Sequence, residues 1–431
     1  MQRKHRSISR RQFLRGAALL GSAATGWELA AKSGILHALD RSGVAGARTE
    51  PHINDAAVAG GKVEYDYIVI GSGAGGGPVA ANLARAGYEV LVLEAGGLEV
   101  KDIVYTAPAF HLLASADPRM NWNFFVKHYS EVGKHGKTYI AERGGVLYPR
   151  ASAVGGCTAH HVMLTLYPEN RDWDDIAAST DDPTWGSYNM RQYFERVKSW
   201  LPITHTPPAL LLRDQVVSRL VTAAALETNS LGRDLGGDLN LNRFSIAGLN
   251  LDPNDFSHID ALRESLYMIP QSTENGERRG TRERLLNIME AAPDRLFLQT
   301  HALVQRILFD PDGGKLRATG VEFLQREHLY EADPLRRAAP TAERAQITRR
   351  VRARREVIVA GGAFNSPQIL MLSGIGPRDH LAEYHLPALL DLPGVGQNMQ
   401  DRYEVSVVTE FDKPLTLVED CTFGATGDPC L

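Results

Sequence analysis

Two strand–turn–helix units set far apart in the chain, with a β-rich stretch before the second, predict an α/β fold built around a dinucleotide-binding sheet. The first unit is Tyr65–Gly97, YDYIVIGSGAGGGPVAANLARAGYEVLVLEAGG. The second, Glu356–Gly376, is an apolar strand, a glycine pair and a helix. Between about Arg295 and Ala360 the chain reads as strands, punctuated by the turn Asp310-Pro311-Asp312-Gly313-Gly314.

In the first unit, Tyr67–Ile70 is a run of strand formers, and Gly71, Gly73 and Gly76 make G-x-G-x-x-G. Gly71 takes the tight turn, Gly73 lets backbone approach a pyrophosphate, and Gly76 lets helix pack on strand. Ser72, inside the same turn, counts with them as a cofactor contact. Val79 and Leu83, with Ala80 and Ala84 beside them, recur at helical spacing, and Pro78 suits a first turn that does not need its N–H. The helix N-terminus offers unpaired N–H groups to phosphates. The second strand, Val90–Leu93, ends on Glu94, placed to accept two hydrogen bonds from a ribose diol. The plain alternative is a glycine-rich turn of another α/β unit; strand, helix and terminal Glu in register speak against it. The unit alone does not choose between NAD and FAD.

The 431 residues allow two domains or one large α/β domain with insertions. Hydrophobic content of 43% with 23% charge is that of an ordinary globular protein, and a net charge of −4 gives no reason to expect nucleic acid. Cys157, Cys421 and Cys430 do not make a disulfide framework, and no metal site is read. No apolar run is long enough for a membrane span, and there is no internal repeat. Residues 1–15 are rich in Lys and Arg and carry Ser9-Arg10-Arg11-Gln12-Phe13-Leu14, followed by a weakly apolar stretch to about Ala31. This looks like a twin-arginine export signal, with Ala45-Gly46-Ala47 as a cleavage site, against the alternative of a basic amphipathic surface helix. Residues 1–47 are therefore set aside as signal and 48–62 as linker. The expected location is periplasmic, or exported by the twin-arginine pathway.

Pro108–His128 has no clean period and reads as a covering loop. It leads to Tyr148-Pro149-Arg150-Ala151-Ser152-Ala153-Val154-Gly155-Gly156-Cys157-Thr158-Ala159-His160-His161, whose small residues let backbone pass close to a flat ring. This segment resembles the first signature of the glucose-methanol-choline (GMC) oxidoreductases, FAD-dependent alcohol oxidases and dehydrogenases. Gly155, Gly156 and Thr158 match it. Cys157 stands where Ser is commoner and reads as a small buried side chain. His161 stands where the family usually has Asn. His160 falls where some members attach FAD covalently; a hydrogen-bonded structural histidine is the equal alternative.

In the middle, Tyr167–Ile176 resembles the segment following this loop in bacterial members. Asn189–Trp200 is an expected helix with Tyr193, Phe194 and Val197 on one side, and Leu211–Thr228 another. Arg278, Arg279, Arg282 and Arg284 read as a solvated basic face. Arg295–Thr300, Val304–Phe309, Ala318–Leu324 and Thr348–Ala360 read as strands, with Arg349–Arg355 forming an outer face around Val351 and Ala353. They resemble the β-meander inserted into the Rossmann-like core of such flavoproteins, and Val304 aligns with a valine whose backbone meets the adenine. After Gly361, Ser366 is placed to cap a helix, Pro367 to open it and Gly374 to end it. Gly362–Gly376 fits the family's second signature, and the two signatures together imply FAD. Pro393–Asp401 matches a third segment, a turn near the flavin that includes Asn398; Arg402 stands where many members have His.

The resemblance covers about Tyr65 to Phe411. It implies an α/β fold with a Rossmann-like FAD-binding domain, an inserted β-meander and an incomplete substrate-binding domain. The expected layout is 63–162 and 285–401 for the FAD domain, 163–284 for substrate-domain and lid insertions, and 402–431 for the start of the substrate-domain sheet, with a strand at Tyr403–Phe411. The implied reaction is oxidation of a CH–OH group in an alcohol or sugar-type donor by hydride transfer to flavin. A base takes the hydroxyl proton; the electron acceptor is not legible in these motifs, and it is the export signal that favours a quinone or cytochrome over oxygen. The family's catalytic histidine lies near its C-terminus, and nothing after Asp401 resembles it. The expectation is a C-terminally truncated member whose catalytic residues would follow Leu431, with His111 or His128 as alternative bases. The second functional reading is an FAD-binding fragment that does not turn over.

Overall fold

The computed structural model describes residues 62–98, 102–206, 213–234, 252–260, 267–312, 315–337, 340, 343–344, 347–401, 407–408, 410–412 and 415–421. The expected export signal, Arg402, Cys430 and most of the strand expected at Tyr403–Phe411 lie outside these residues. The chain divides into two compact units, Met1–His161 with Gly280–Val408, and Val162–Arg279 with Thr409–Leu431. The second crossing falls at Gly280, a few residues before the expected 285, because the start of the following helix is built into the first unit.

In that first unit, strands β1 (Glu64–Ile70) and β2 (Val90–Leu93) flank helix α1 (Gly76–Arg85). A small three-stranded antiparallel sheet follows, formed by β3 (Asn121–Val126), β4 (Tyr139–Ile140) and β5 (Gly145–Ala151). After α2 (Thr281–Ala291) come β6 (Leu296–Gln299), β7 (Ala302–Asp312), β8 (Lys315–Gln325), β9 (Thr348–Val359) and α3 (Gly362–Leu372). The main sheet has six strands in the order β6-β2-β1-β9-β8-β7. β6, β2, β1 and β9 run parallel, and β9, β8 and β7 are antiparallel neighbours. This is the Rossmann-like core with the meander threaded into it.

β1 and β2 read as unbroken apolar runs because both faces of the sheet are covered. Ile68, Ile70, Leu91 and Leu93 point to one core with Phe323, Val351 and Ile369 of α3. Val69, Val90 and Val92 point to the other, with Ala80 and Ala84 of α1 and Leu285 of α2. The inward stripe of α1 is Gly76, Gly77, Ala80, Ala81 and Ala84, whereas Val79 faces out. The expected stripe through Val79 is thus rotated, because only small residues fit: a Cβ at Gly77 would lie 2.8 Å from Cβ of Thr281. β9 alternates as expected, Val351 and Ala353 inward and Arg350, Arg352 and Arg354 outward.

Other expectations are corrected. The covering loop contains helix His111–Ala116 and strand β3, whose pairing with β5 supplies what its sequence period does not show. α3 opens at Gly362, so Pro367 lies inside it and Ser366 does not cap it; the glycine pair turns the chain out of β9 directly into the helix. Cys157 is an exposed free thiol, on the 3₁₀ turn Gly156–Ala159, and not a buried side chain. The arginines are no solvated face: Arg278 and Arg282 are 1% and 2% exposed. Cys421 is disulfide-bonded.

The second unit packs helices Asn170–Thr180 and Ser187–Lys198 around Tyr167, whose ring meets Trp173, Phe194 and Phe256 and whose hydroxyl donates to Ser187 O (3.0 Å). Tyr193 is exposed and does not share the face of Phe194. A third helix, Gln215–Asp234, opens on Asp214, whose carboxylate accepts from the Val216 and Val217 N–H groups. No helix among the described residues is long and apolar enough to cross a membrane.

Candidate cofactor site

At the carboxyl ends of β1, β2 and β9 the backbone is drawn tight. Gly71 has φ +98°, and a side chain there would stand 2.3 Å from Ala360 O at the end of β9. Only glycine turns the chain here. Gly156, φ +55°, brings the second glycine loop against the first: its Cβ would lie 2.7 Å from Gly73 Cα. The two loops predicted from sequence therefore meet backbone to backbone.

Ser72 ties them together. Its hydroxyl donates to Glu94 Oε2 (2.6 Å) and accepts from the Gly155 N–H (3.0 Å), while its own N–H also donates to Glu94 Oε2 (3.0 Å). The Gly96 N–H donates to Oε1 (3.0 Å). Glu94 is 7% exposed, and with about four acceptor positions on a carboxylate these bonds leave one facing outward, fewer than the two read from sequence. Gly155 is braced from behind. Its carbonyl accepts from Thr158 Oγ1 (2.7 Å) and Thr281 Oγ1 (3.0 Å). Glu283 accepts from the Gly280 N–H (2.9 Å) and the Tyr105 hydroxyl (2.7 Å), which fixes the start of α2. Arg282 lies in the same layer, its guanidinium 5.4 Å from the Tyr105 ring centre, donating to Leu98 O (3.4 Å). That layer explains its burial.

Within these walls lies a cavity of about 610 Å³. Of the residues singled out in the sequence, Gly71, Gly73, Glu94, Gly156, Cys157, Thr158, His161, Val304 and Gly361 line it. Ser72, Gly76 and Gly155 do not, and act by holding its walls. His160 is 5% exposed and off the wall, and Asn398 is exposed on a left-handed turn away from it. Neither His111 nor His128 lines it, so among the described residues His161 is its one histidine. Sequence reasoning missed Arg150, Arg336, Arg344, Tyr330 and Phe364, which also line it. Arg150 lies over the Tyr148 ring (4.2 Å), and burial, partly offset by Asn365 and Gln368, raises the Tyr330 hydroxyl pKa. Arg150, Arg336 and Arg344 outnumber Glu94 and Glu331 in the lining, and Arg336 is paired with Glu331, a balance suited to a diphosphate. Among the described residues no cluster is arranged to hold a metal.

A doubly covered sheet, a glycine turn into a ten-residue helix, an acid at the end of β2 and a cavity over the strand ends define a dinucleotide-binding protein of the flavoenzyme class. The profile of the GMC oxidoreductases matches residues 65–404, and the chain belongs to that family. It is 30% identical over 358 residues to the oxygen-dependent choline dehydrogenase 1 of Chromohalobacter salexigens, covering 82% of this chain and 56% of that protein. It thus spans about half the length of the curated relatives it matches. Among solved structures it is similar to pyridoxine 4-oxidase from Mesorbium loti, with TM-score 0.53, 21% identity, and 76% of this chain and 55% of the other covered. Formate oxidase gives TM-score 0.55, 18% identity, and 78% and 52% covered. At these identities the structures bear on the fold alone. The cofactor of the family is FAD, and the cavity fits it: close-approach glycines, the free end of α1 for the diphosphate and an outward lone pair on Glu94.

Proposed function

We propose that this chain is the FAD-holding portion of an oxidoreductase that oxidises the CH–OH group of a small alcohol. The observation that carries the reading is the junction of the two glycine loops through Ser72 and Glu94 beneath the cavity. The N–H groups at the start of α1 receive the diphosphate, Glu94 receives a ribose hydroxyl, and the Val304 backbone borders the adenine. Gly156, Thr158 and His161 border the other end. FAD, when bound, supplies the acceptor for hydride. The protein's own part would be to hold a flat ring against the Gly156 backbone and to shield it from water. Choline-like and other primary alcohols are the first substrates to try, because relatives are named as choline dehydrogenases. The twin-arginine pattern supports export with cofactor loaded beforehand, and the disulfide at Cys421 suits an oxidising compartment. A quinone or cytochrome as electron acceptor follows from that location.

The second reading, FAD binding without turnover, is favoured by one observation: His161 is the only histidine among the described cavity residues. It lies beside the first-signature glycines and not in a place of its own for a substrate hydroxyl. The experiment is anaerobic addition of an alcohol panel, choline included, to the flavin-loaded chain. Bleaching of the flavin absorbance establishes oxidation. A bound flavin that no alcohol bleaches leaves the binding reading standing.

A further inference from the structure

β8 and β9 are not joined by a tight turn: residues 326–347 intervene, and their described part is folded onto itself. Arg326 pairs with Glu343 and donates to Arg337 O (2.8 Å), Arg336 pairs with Glu331 (2.6 Å), and His328 Nδ1 meets Asp333 Oδ2 (3.0 Å). The segment is docked on the sheet of β3 and β5. The Asn123 N–H donates to Ala332 O (2.7 Å), the Tyr330 ring lies 4.4 Å from the Trp122 ring, and the Tyr330 hydroxyl donates to Gln368 Oε1 of α3 (2.8 Å). So held, it presents Leu329, Tyr330, Glu331, Arg336 and Arg344 to the cofactor cavity. Its position fixes which end it walls. It leaves β8 at Gln325, which pairs with Ala302 at the start of β7, beside the cavity residues Leu303, Val304 and Gln305. Gly156, Thr158 and His161 belong to a different loop. Among the described residues Arg344 has no carboxylate partner, so its charge is available to a ligand.

We propose that this segment is a retaining wall for the adenosine-diphosphate half of the cofactor, with Tyr330 closing the cavity beside β7 and Arg344 supplying positive charge to the diphosphate. The proposal rests on the FAD reading above. Its ligand class is narrower, an adenosine diphosphate moiety whatever is attached to it.

The test uses the full chain and three probes, FAD, ADP and FMN, with affinity read by tryptophan quenching and flavin retention by ultrafiltration. Tyr330→Ala should weaken both FAD and ADP by about tenfold, as truncation of a half-buried aromatic anchor does. Arg344→Ala should weaken them about threefold, with the loss fading at high salt. FMN, which lacks the adenosine half, should bind the variants and the unaltered chain alike. Arg344 is exposed, so its truncation leaves the core packing untouched, and Tyr330→Phe keeps the ring while removing the bond to Gln368. FAD and ADP held within twofold by both alanine variants would overturn the wall and leave the cofactor reading intact. An unaltered chain that takes up neither FAD nor ADP overturns both.

Discussion

Ser72 touches no substrate, yet it holds the three pieces that make the site. Removing its hydroxyl in Ser72→Ala leaves the buried Gly155 N–H without that acceptor and Glu94 without one donor. The expected loss is about 1–3 kcal/mol of stability, with weaker flavin binding, seen together in urea denaturation and flavin titration. Glu94→Gln keeps the shape and should bind FAD less tightly than the parent but better than Glu94→Ala; equal retention by all three chains would remove Glu94 from the ribose. Gly71→Ala should fail more severely, since φ +98° and the Ala360 carbonyl both refuse a methyl group, and its soluble yield and flavin content report this. The glycines and Glu94 were legible because their spacing is local and each carries one physical demand. Ser72 as a clamp was not, because its partners lie 22 and 83 residues away. The same distance hid Arg282, which reaches Leu98 across 184 residues, and the exposure of Cys157 along the cavity is set by a turn its neighbours do not announce.

Among the elements, β9 joins the parallel and antiparallel parts of the sheet. Its outward Arg354 bonds Asp66 (3.0 Å) of β1 and Glu89 (2.7 Å) just before β2. The Arg354 hydrogen bond first, and the Glu89 N–H next, hold the Asp66 carboxyl below its ordinary range; Lys62 and then Arg354 do so for Glu89. Folding depresses both carboxyl pKa values. Their contribution is therefore complete above the unfolded values of 3.8 and 4.5 and is lost as the pH falls through the lower folded values. Arg354→Ala should be less stable than the parent at neutral pH, and the gap should narrow as the pH falls through the folded-state values of the two carboxyls, which paired urea curves would show. In β8, Phe323→Ala removes a fully buried ring from the core and should cost about 3–5 kcal/mol, read from the denaturation midpoint. The strands of the meander were readable because period and turn residues agree there. β3 was not, because a short strand with mixed burial is defined by its partner β5. The start of α3 was misplaced because Pro367 is a strong local signal that the preceding glycine pair outweighs.

At the scale of the molecule, FAD should stabilise the unit that contains the cavity. A ligand at about a hundred times its Kd adds about 2.7 kcal/mol to a folded state. For a domain of this size that is a rise in Tm of about 5–10 °C, measurable by differential scanning fluorimetry with and without added FAD. No rise with FAD, alongside a rise with NAD, would reverse the choice of cofactor. The fold class was legible from both ends of the first unit. The cavity's far wall was not, because it comes from a segment with no periodic pattern, inserted where a hairpin turn would do.

The place of β9 also governs how the protein is made. The strand that completes the centre of the sheet arrives late: Asp66 of β1 and Arg354 of β9 are 288 residues apart. At about 5–20 residues per second, a ribosome needs roughly 15–60 s to deliver the partner of β1 after β1 itself has emerged. Over that interval β1 and β2 form an apolar two-stranded ribbon with a bare edge, a substrate for holding chaperones and for aggregation. A release of the nascent chain anywhere before Val359 would therefore remove the middle of the sheet, and a release before Leu372 would remove the helix that covers one of its faces and walls the cavity.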